Sequence, residues 1–295
     1  MNAGISRAGP CVSVNIVTYN RRNLLQRCIA SVLAQTFRDF EIVVVDDGST
    51  DDTRDLFGSI RSCPVRYRYV PHTGKLSFLR NCAAEISTGK YVAFLDSDDE
   101  WDPAKLEKQV ARMERDRLAL TFTDATTTGA ENTRGRRFLP KGPRYYTSRT
   151  IPKLFTSWFI YVSSTVIARS AMASVGPFDE SRIATGDAEF ILRAIRSEPF
   201  GLIHEPLLIR HMHERQHSSG QWRESYTEML HLAQHYHEEG FLTAREYRRS
   251  VSGMLYRMGG ELHRAEEPHE ARKAFGRSFA ANPLNVRAGI RWALH

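Results

Sequence analysis

A regular alternation between short apolar segments and helix-like segments is the feature that most constrains the fold of this chain. Between residues 11 and 128, the strand candidates are 12–19, 41–46, 65–70, 91–96 and 118–124. The helix candidates between them are 22–35, 52–60, 76–86 and 103–115. Such alternation builds a parallel sheet through right-handed crossovers. The sequence therefore predicts the α/β class, with a mostly parallel sheet flanked by helices.

The pattern changes after residue 128. A connection rich in Gly, Arg and Pro leads to a helix at 188–196 and a broken strand over 200–213. The last third carries apolar residues at helical spacing over 221–238, 243–263 and 267–281. We therefore predict a flexible start (1–10), a first half (11–128), a second half (129–219) and a C-terminal helical appendage (220–295).

The net charge of +7 is concentrated in one segment. Six basic residues and no acidic ones lie there: Arg134, Arg136, Arg137, Lys141, Arg144 and Arg149. This basic loop fits either a solvated loop or one that contacts an anionic acceptor or a membrane surface. No apolar run approaches the roughly 20 residues of a membrane span, and the start lacks the apolar core of a signal peptide. We expect a cytoplasmic protein, with peripheral contact to the inner membrane face through residues 134–149 and no nucleic-acid partner.

Three of the predicted strands end in side chains suited to a nucleotide and a divalent cation. They end in Thr18-Tyr19-Asn20, in Asp46-Asp47-Gly48-Ser49 and in Asp96-Ser97-Asp98-Asp99. In open α/β sheets, ligands bind outside the carboxyl ends of the strands. Carboxylate oxygens suit Mg²⁺ or Mn²⁺, which would offset the charge of a diphosphate. Taken singly, the second segment also fits a plain turn, the third a helix cap, and Tyr19 a packing role.

Three phrases together resemble the successive signatures of family 2 glycosyltransferases with the GT-A fold. They are VSVNIVTYNRRNLLQRCIASVLAQTFRDFEIVVVDDGSTDDT, LSFLRNCAAEISTGKYVAFLDSDDEWDPAKLEKQV and VGPFDESRIATGDAEFILRAI, and the similarity covers about residues 11–213. The resemblance implies that 11–128 binds the nucleotide-sugar donor and 129–219 the acceptor. It also implies that Tyr19 stacks on the nucleobase and Asp47 hydrogen-bonds it. Thr18, Asn20, Arg80, Asp96 and Ser97 would complete the donor site, and Asp98 of the DXD motif would bind the metal.

The same resemblance implies a general base in the second half. Asp187 occupies that position, whereas Gly186 replaces the usual glutamate and Ala188 the usual aromatic residue. Glu189 is the alternative base, and Asp187 also fits a plain helix cap. In IRHMHERQHSS, the spacing favours His213 as a further metal ligand, with His211 as the alternative.

The function implied by the resemblance is metal-dependent transfer of a sugar, with inversion, from a nucleoside-diphosphate sugar to a hydroxyl. UDP is the expected nucleotide, and the acceptor is a glycan, a lipid-linked intermediate or a protein in glycan or glycoconjugate synthesis. One alternative is a sugar-1-phosphate nucleotidylyltransferase, although TYNRRN stands where a Gly-rich phosphate loop is expected. Another is a non-catalytic protein that binds anions or nucleic acid through the basic loop. The absence of GxGxxG argues against a dinucleotide-binding enzyme.

Overall fold

The chain forms two compact units. The computed structural model describes residues 9–58, 60–128, 145–146, 151–156, 158, 160–211 and 220–294. The first unit comprises residues 1–147, 160–181 and 186–214, and the second comprises 148–159, 182–185 and 215–295. Both predicted halves therefore contribute to the first unit. The basic loop 134–149 and His213 lie outside the described residues, apart from the two-residue strand 145–146.

The first unit contains one mixed sheet. Its described strands are β1 (Val12–Thr18), β2 (Phe40–Asp47), β3 (Val65–Val70), β4 (Tyr91–Asp96), β5 (Glu100–Trp101), β6 (Leu120–Thr128), β7 (Tyr145–Tyr146), β8 (Val166–Ala168) and β9 (Phe200–His211). Their order is β3-β2-β1-β4-β8-β6-β9-β5, and β7 also pairs with β9. The first four strands are mutually parallel, as predicted. The α/β class is confirmed.

The rest of the sheet is less parallel than predicted. The short strand β8 runs antiparallel to both β4 and β6 and separates them, while β5 and β7 run antiparallel to β9. The predicted strand 118–124 corresponds to β6, which continues to Thr128. The predicted helix 52–60 is instead a six-residue 3₁₀ turn, Asp52–Phe57. Asp occurs three times within 51–55 and has a low helix propensity because its side chain competes for backbone hydrogen bonds, and here the Thr53 amide donates to the Asp51 carboxylate.

The helices of the first unit are α1 (Arg22–Leu33), α2 (Leu76–Ile86), α3 (Lys105–Asp116), α5 (Arg169–Val175) and α6 (Gly186–Ser197). They cover both faces of the sheet. Even-numbered side chains of β1 and β2, such as Ile16 and Val44, join a core with α1 and α3. Odd-numbered ones, such as Val17 and Val45, pack against α2. Burying such a side chain fully is worth about 1.5–3 kcal/mol, which explains the continuous apolar run of residues 42–45 in β2.

The second unit is helical. It contains α4 (Ile151–Thr156), α7 (Trp222–Glu238), α8 (Ala244–Arg264), α9 (Pro268–Ala281) and α10 (Val286–Leu294), of which α4 and α10 were not predicted. Thr243 and Glu246 form a capping box that starts α8. A side chain on Gly259 would place its Cβ 2.6 Å from the Phe275 ring, so this glycine permits close packing of α8 on α9. None of the described helices is long and apolar enough to cross a membrane.

Candidate functional site

The three polar strand ends are neighbours at one edge of the sheet. β1 lies between β2 and β4, with Thr18 opposite Asp46 and Val17 opposite Asp96. The segments after these strands therefore start side by side, as the sequence predicts. The hydroxyl of Thr18 is buried and, within the described part of the chain, its Oγ1 has no hydrogen-bond partner.

The two carboxylates at the end of β2 are buried and bonded on both oxygens. Asp46 accepts from the Ser49 amide at 2.9 Å and from the Tyr67 hydroxyl at 2.6 Å. Asp47 Oδ1 accepts from the amide and hydroxyl of Thr73 at 2.7 and 3.0 Å. Its Oδ2 accepts from the Gly74 amide at 2.9 Å. Asp47 thus fastens the loop between β3 and α2.

Asn20 organises the loop that follows β2. Its side-chain Oδ1 accepts from the Thr50 backbone amide at 2.8 Å, and its backbone N–H donates to Ser49 Oγ at 2.8 Å. The backbone of Asn20 is left-handed, with φ of 47°, a conformation that asparagine tolerates better than most residues. Asn20 therefore joins the end of β1 to the end of β2.

Tyr19 is an exposed ring with one stacked neighbour. The side chain of His72, two residues after β3, lies parallel to it with ring centroids 3.9 Å apart and 14° between the planes. His72 Nδ1 lies 2.8 Å from Asp47 Oδ2. Tyr19 and Asp47, the predicted nucleobase contacts, therefore lie close together, and His72 contacts both of them.

The acidic segment after β4 is held by two arginines from other elements. The buried Arg80 of α2 donates to Asp96 Oδ1 at 3.0 Å, and Arg21 pairs with Asp98 Oδ2 at 3.0 Å. Ser97, between them, is buried. Arg80, predicted to bind the donor, thus contacts the first acid of the predicted DXD motif, Asp96.

Negative charge is concentrated around this segment. Burial and the charges of Asp96 and Asp98 raise the pKa of Asp99 well above its ordinary value, although Arg210 opposes this. Burial and the same group of carboxylates raise the pKa of the Cys28 thiol. Like charges this close are unfavourable unless a proton, an arginine or a cation compensates them.

Asp187 lies in the first turn of α6, within the electrostatic reach of Arg80 and Asp96. Burial raises its pKa above the ordinary value; Arg80 opposes the shift and Asp96 adds to it. Its Oδ1 accepts from the Ala188 amide at 2.8 Å, which satisfies one of the backbone donors in the first turn of the helix. A carboxylate with a raised pKa is a stronger base.

The helix α2 contacts both α6 and the connection that precedes α6. Asn81 bonds both backbone polar groups of Phe178, with its Nδ2 at 3.0 Å from the carbonyl and its Oδ1 at 2.8 Å from the amide. A Cβ on Gly186 would lie 2.1 Å from Ser77 Oγ. Glycine at this position thus allows α6 to approach α2 closely.

Glu189, the alternative base, is engaged elsewhere. It forms a two-pronged ion pair with Arg193, with both N–O distances 2.8 Å. The same guanidinium donates to the carbonyls of Val175 and Pro177. These contacts give Glu189 a structural role in the connection between α5 and α6.

The end of β9 reaches the acidic segment. β5 pairs with β9, and His211 Nε2 lies 2.7 Å from Glu100 Oε1. Thr128 holds His211 Nδ1 at 2.8 Å. His211 is therefore bound to Glu100, and His213 follows two residues later, outside the described residues.

The acidic segment after β4 offers some, but not all, of the ligands that a divalent cation needs. Asp96 and Asp98 offer carboxylate oxygens, the ligand type that Mg²⁺ and Mn²⁺ prefer. Among the residues that the structure describes, no group of three or more His, Cys, Asp or Glu side chains could hold a metal ion by itself. Mg²⁺ is commonly bound by one or two carboxylates together with substrate phosphates, so these two acids fit that arrangement.

Comparison with known proteins identifies the family. The model for "Glycosyl transferase family 2" matches residues 13–175, more than half of the chain. The chain belongs to this family. The expectation drawn from the three phrases is confirmed, although Asp187 lies beyond the matched residues of this family 2 chain.

One sequence relative and two solved structures are among the similar proteins. E. coli WfaP, the "UDP-Glc:alpha-D-GlcNAc-diphosphoundecaprenol beta-1,3-glucosyltransferase", is 34% identical over 113 residues, which are 38% of this chain and 45% of WfaP. S. aureus TarS superposes with a TM-score of 0.69 at 18% identity, covering 92% of this chain and 49% of TarS. TarS 1–349 in complex with UDP-GlcNAc superposes with a TM-score of 0.62 at 17% identity, covering 95% of this chain and 78% of the TarS 1–349 chain. The region of similarity spans about half the length of WfaP and of a second curated relative, the putative teichuronic acid biosynthesis glycosyltransferase TuaG of Bacillus subtilis.

Two residues at this edge, His72 and Arg21, were not predicted as site residues from the sequence. His72 follows the end of β3, the strand next to β2, so the strand-end rule applied to the fourth parallel strand would have found it. Arg21 directly follows the TYN segment, and only the fold shows that it reaches Asp98.

Proposed function

We propose that this chain transfers a sugar from a nucleoside-diphosphate sugar to a hydroxyl acceptor with inversion at the anomeric carbon. The observation that carries the proposal is one cluster in the first unit. Arg80 bonds Asp96, and both act electrostatically on Asp187. A cation for the donor phosphates, an acid of the DXD motif and a base of raised pKa thus stand together at the edge where α/β sheets bind ligands.

UDP is the proposed nucleotide, and a lipid-linked diphosphate sugar is the proposed acceptor. WfaP carries UDP-Glc and a diphosphoundecaprenol-linked sugar in its name, and TarS has been crystallised with UDP and with UDP-GlcNAc. The stacking ring of Tyr19 beside the Asp47 carboxylate suits a pyrimidine, which presents a flat face and a ring N–H.

In the proposed mechanism, the Asp187 carboxylate takes the proton of the acceptor hydroxyl as that oxygen forms a bond to the anomeric carbon. The bond from this carbon to the phosphate oxygen breaks on the opposite side, which inverts the configuration. Arg80 faces the phosphates and balances the charge that develops on the leaving diphosphate. Asp98, with His213, would hold Mg²⁺ or Mn²⁺, which would act as a Lewis acid toward the diphosphate.

The test is a thermal-shift screen with UDP, GDP, dTDP and UDP-glucose, each with and without Mn²⁺. A ligand that binds only the folded state raises the melting temperature. We expect UDP with Mn²⁺ to give the largest shift, and Asp98→Asn to lose the part of the shift that depends on Mn²⁺. If none of the four nucleotides shifts the melting temperature under either condition, the proposed function is wrong.

A further inference from the structure

His72 is held in place by two partners at once. Its imidazole stacks on Tyr19 with centroids 3.9 Å apart. Its Nδ1 lies 2.8 Å from Asp47 Oδ2 and 3.0 Å from the Asp47 carbonyl oxygen. Both of these oxygens are acceptors, so Nδ1 carries the hydrogen and donates it. A side chain that is about half exposed, at 49%, is thus fixed in orientation from its face and from its edge.

The backbone is shaped to permit this position. Gly48 has φ of +78°, and a Cβ there would lie 2.6 Å from the His72 amide nitrogen. Only a residue without a side chain allows the turn after β2 to approach His72 so closely. The contact is therefore built into two adjoining loops.

The remaining capacity of Asp47 is small. Its Oδ1 already accepts two hydrogen bonds from Thr73, and its Oδ2 accepts from the Gly74 amide as well as from His72. Two of these partners are side chains, the Thr73 hydroxyl and the His72 ring. The hydroxyl is also held by the Lys75 amide, which donates to it at 3.2 Å, so the His72 ring can rotate away with less disturbance of the loop. A ligand that needs an oxygen of Asp47 therefore has one donor that it can replace at low cost.

We propose that His72 is a resident competitor of the nucleobase. Its flat ring covers Tyr19 and its N–H satisfies Asp47, which are the two interactions that a stacked base with a ring N–H would make. Binding of the donor nucleotide displaces the imidazole, and His72 thereby sets the affinity for the nucleotide. This inference rests on the proposed function, because it takes Tyr19 and Asp47 as the nucleobase contacts.

The test compares UDP binding to the wild type and to His72→Ala by isothermal titration calorimetry with Mn²⁺ present. An aromatic stacking contact is worth about 0.5–1.5 kcal/mol, so removing the competitor should lower the Kd by about two- to tenfold. His72→Phe keeps a ring on Tyr19 but cannot donate to Asp47, and we expect it to gain less than His72→Ala. His235→Ala, an exposed histidine of the second unit, is the matched control and should leave the Kd unchanged.

An equal or weaker affinity of folded His72→Ala, with its fold checked by urea unfolding, would overturn the inference. A direct readout is the Hε1 resonance of His72, which the Tyr19 ring current shifts upfield while the rings are stacked. Saturating UDP should move it downfield, and a resonance that stays in place while UDP binds would also overturn the inference. Absence of UDP binding to both the wild type and His72→Ala would instead refute the proposed function.

Discussion

The acidic segments after β2 and after β4 lie side by side, but their carboxylates are treated differently. After β2, Asp46 and Asp47 are buried and accept hydrogen bonds on both oxygens from neutral groups and one histidine. After β4, Asp96 and Asp98 each face an arginine, and Asp99 has a raised pKa because of burial and its charged neighbours. The first segment is satisfied by the protein, whereas the second carries excess negative charge.

The difference indicates that the two segments have different roles, one structural and one in binding charged ligands. Fully bonded carboxylates fix loops, because each oxygen removed from water regains its hydrogen bonds. Carboxylates that repel one another and are neutralised by arginines suit a site that takes a cation or a charged ligand. We therefore expect substitution of Asp46 to affect mainly stability, and substitutions around the segment after β4 to affect mainly the reaction.

The largest effect is expected for Asp187→Asn, which removes the base beside the second segment. General-base catalysis contributes about 10²–10⁴-fold, so kcat should fall by that factor while the melting temperature changes little. A radiolabelled sugar-transfer assay with UDP-glucose and the matching lipid-linked acceptor measures this. Glu189→Gln is the matched control: it weakens the ion pair with Arg193 and should leave kcat close to that of the wild type. A fully active Asp187→Asn enzyme would exclude this residue as the base.

The next largest effect is expected for Asp98→Asn. A bound metal supplies several kcal/mol of transition-state stabilisation, so losing its ligand should lower kcat by about a hundredfold or more. Titration of activity with Mn²⁺ should also show a weaker apparent metal affinity. The control is Asp52→Asn, an acid with a 77% exposed side chain that pairs with Arg22 at 3.5 Å. Equal Mn²⁺ dependence in the Asp98→Asn variant and the wild type would remove Asp98 from the metal site.

A stability comparison separates the two segments directly. Asp46→Asn replaces one of two accepting oxygens by a donor that faces the Ser49 amide or the Tyr67 hydroxyl, which should cost about 1–3 kcal/mol of unfolding free energy. Asp99→Asn removes a charge that Asp96 and Asp98 repel, so it should cost less than Asp46→Asn or stabilise the protein. Urea unfolding in EDTA gives both values. If Asp99→Asn proves as costly as Asp46→Asn, the contrast between the segments is wrong.

Part of this arrangement could be predicted from the sequence. The strands β2 and β4 follow from continuous apolar runs that stop at carboxylates, as is typical of strands covered on both faces, and the edge that they share with β1 follows from the alternation of strands and helices. The pairings Arg80–Asp96 and Arg21–Asp98 could not be predicted, since each joins side chains distant in sequence whose meeting depends on how α1 and α2 pack.

Other features escaped prediction because their local signals are weak. The segment 163–168 reads as a strand, but the three residues of β8 are too few to indicate its place or its direction, and it lies antiparallel between β4 and β6 and makes the sheet mixed. His72 lies in a Pro-His-Thr-Gly stretch that by itself indicates only a turn. Its role emerges only when β3 is placed beside β2, which brings the imidazole onto Tyr19.

The smallest effect is a shift of the pH profile, and it tests whether Arg80 links the donor to the base. The base must be deprotonated, so activity falls as the pH drops through the pKa of Asp187. Burial raises this pKa and Arg80 lowers it, so Arg80→Met should move the acidic limb of kcat to higher pH. The loss of the partner of Asp96 acts in the same direction, because an unneutralised Asp96 repels the Asp187 carboxylate. Arg68→Met, which breaks the pair of Arg68 with Glu85, is the control and should leave the limb in place. A limb that moves to lower pH in Arg80→Met, or does not move, would show that Arg80 and Asp187 are not coupled during the reaction.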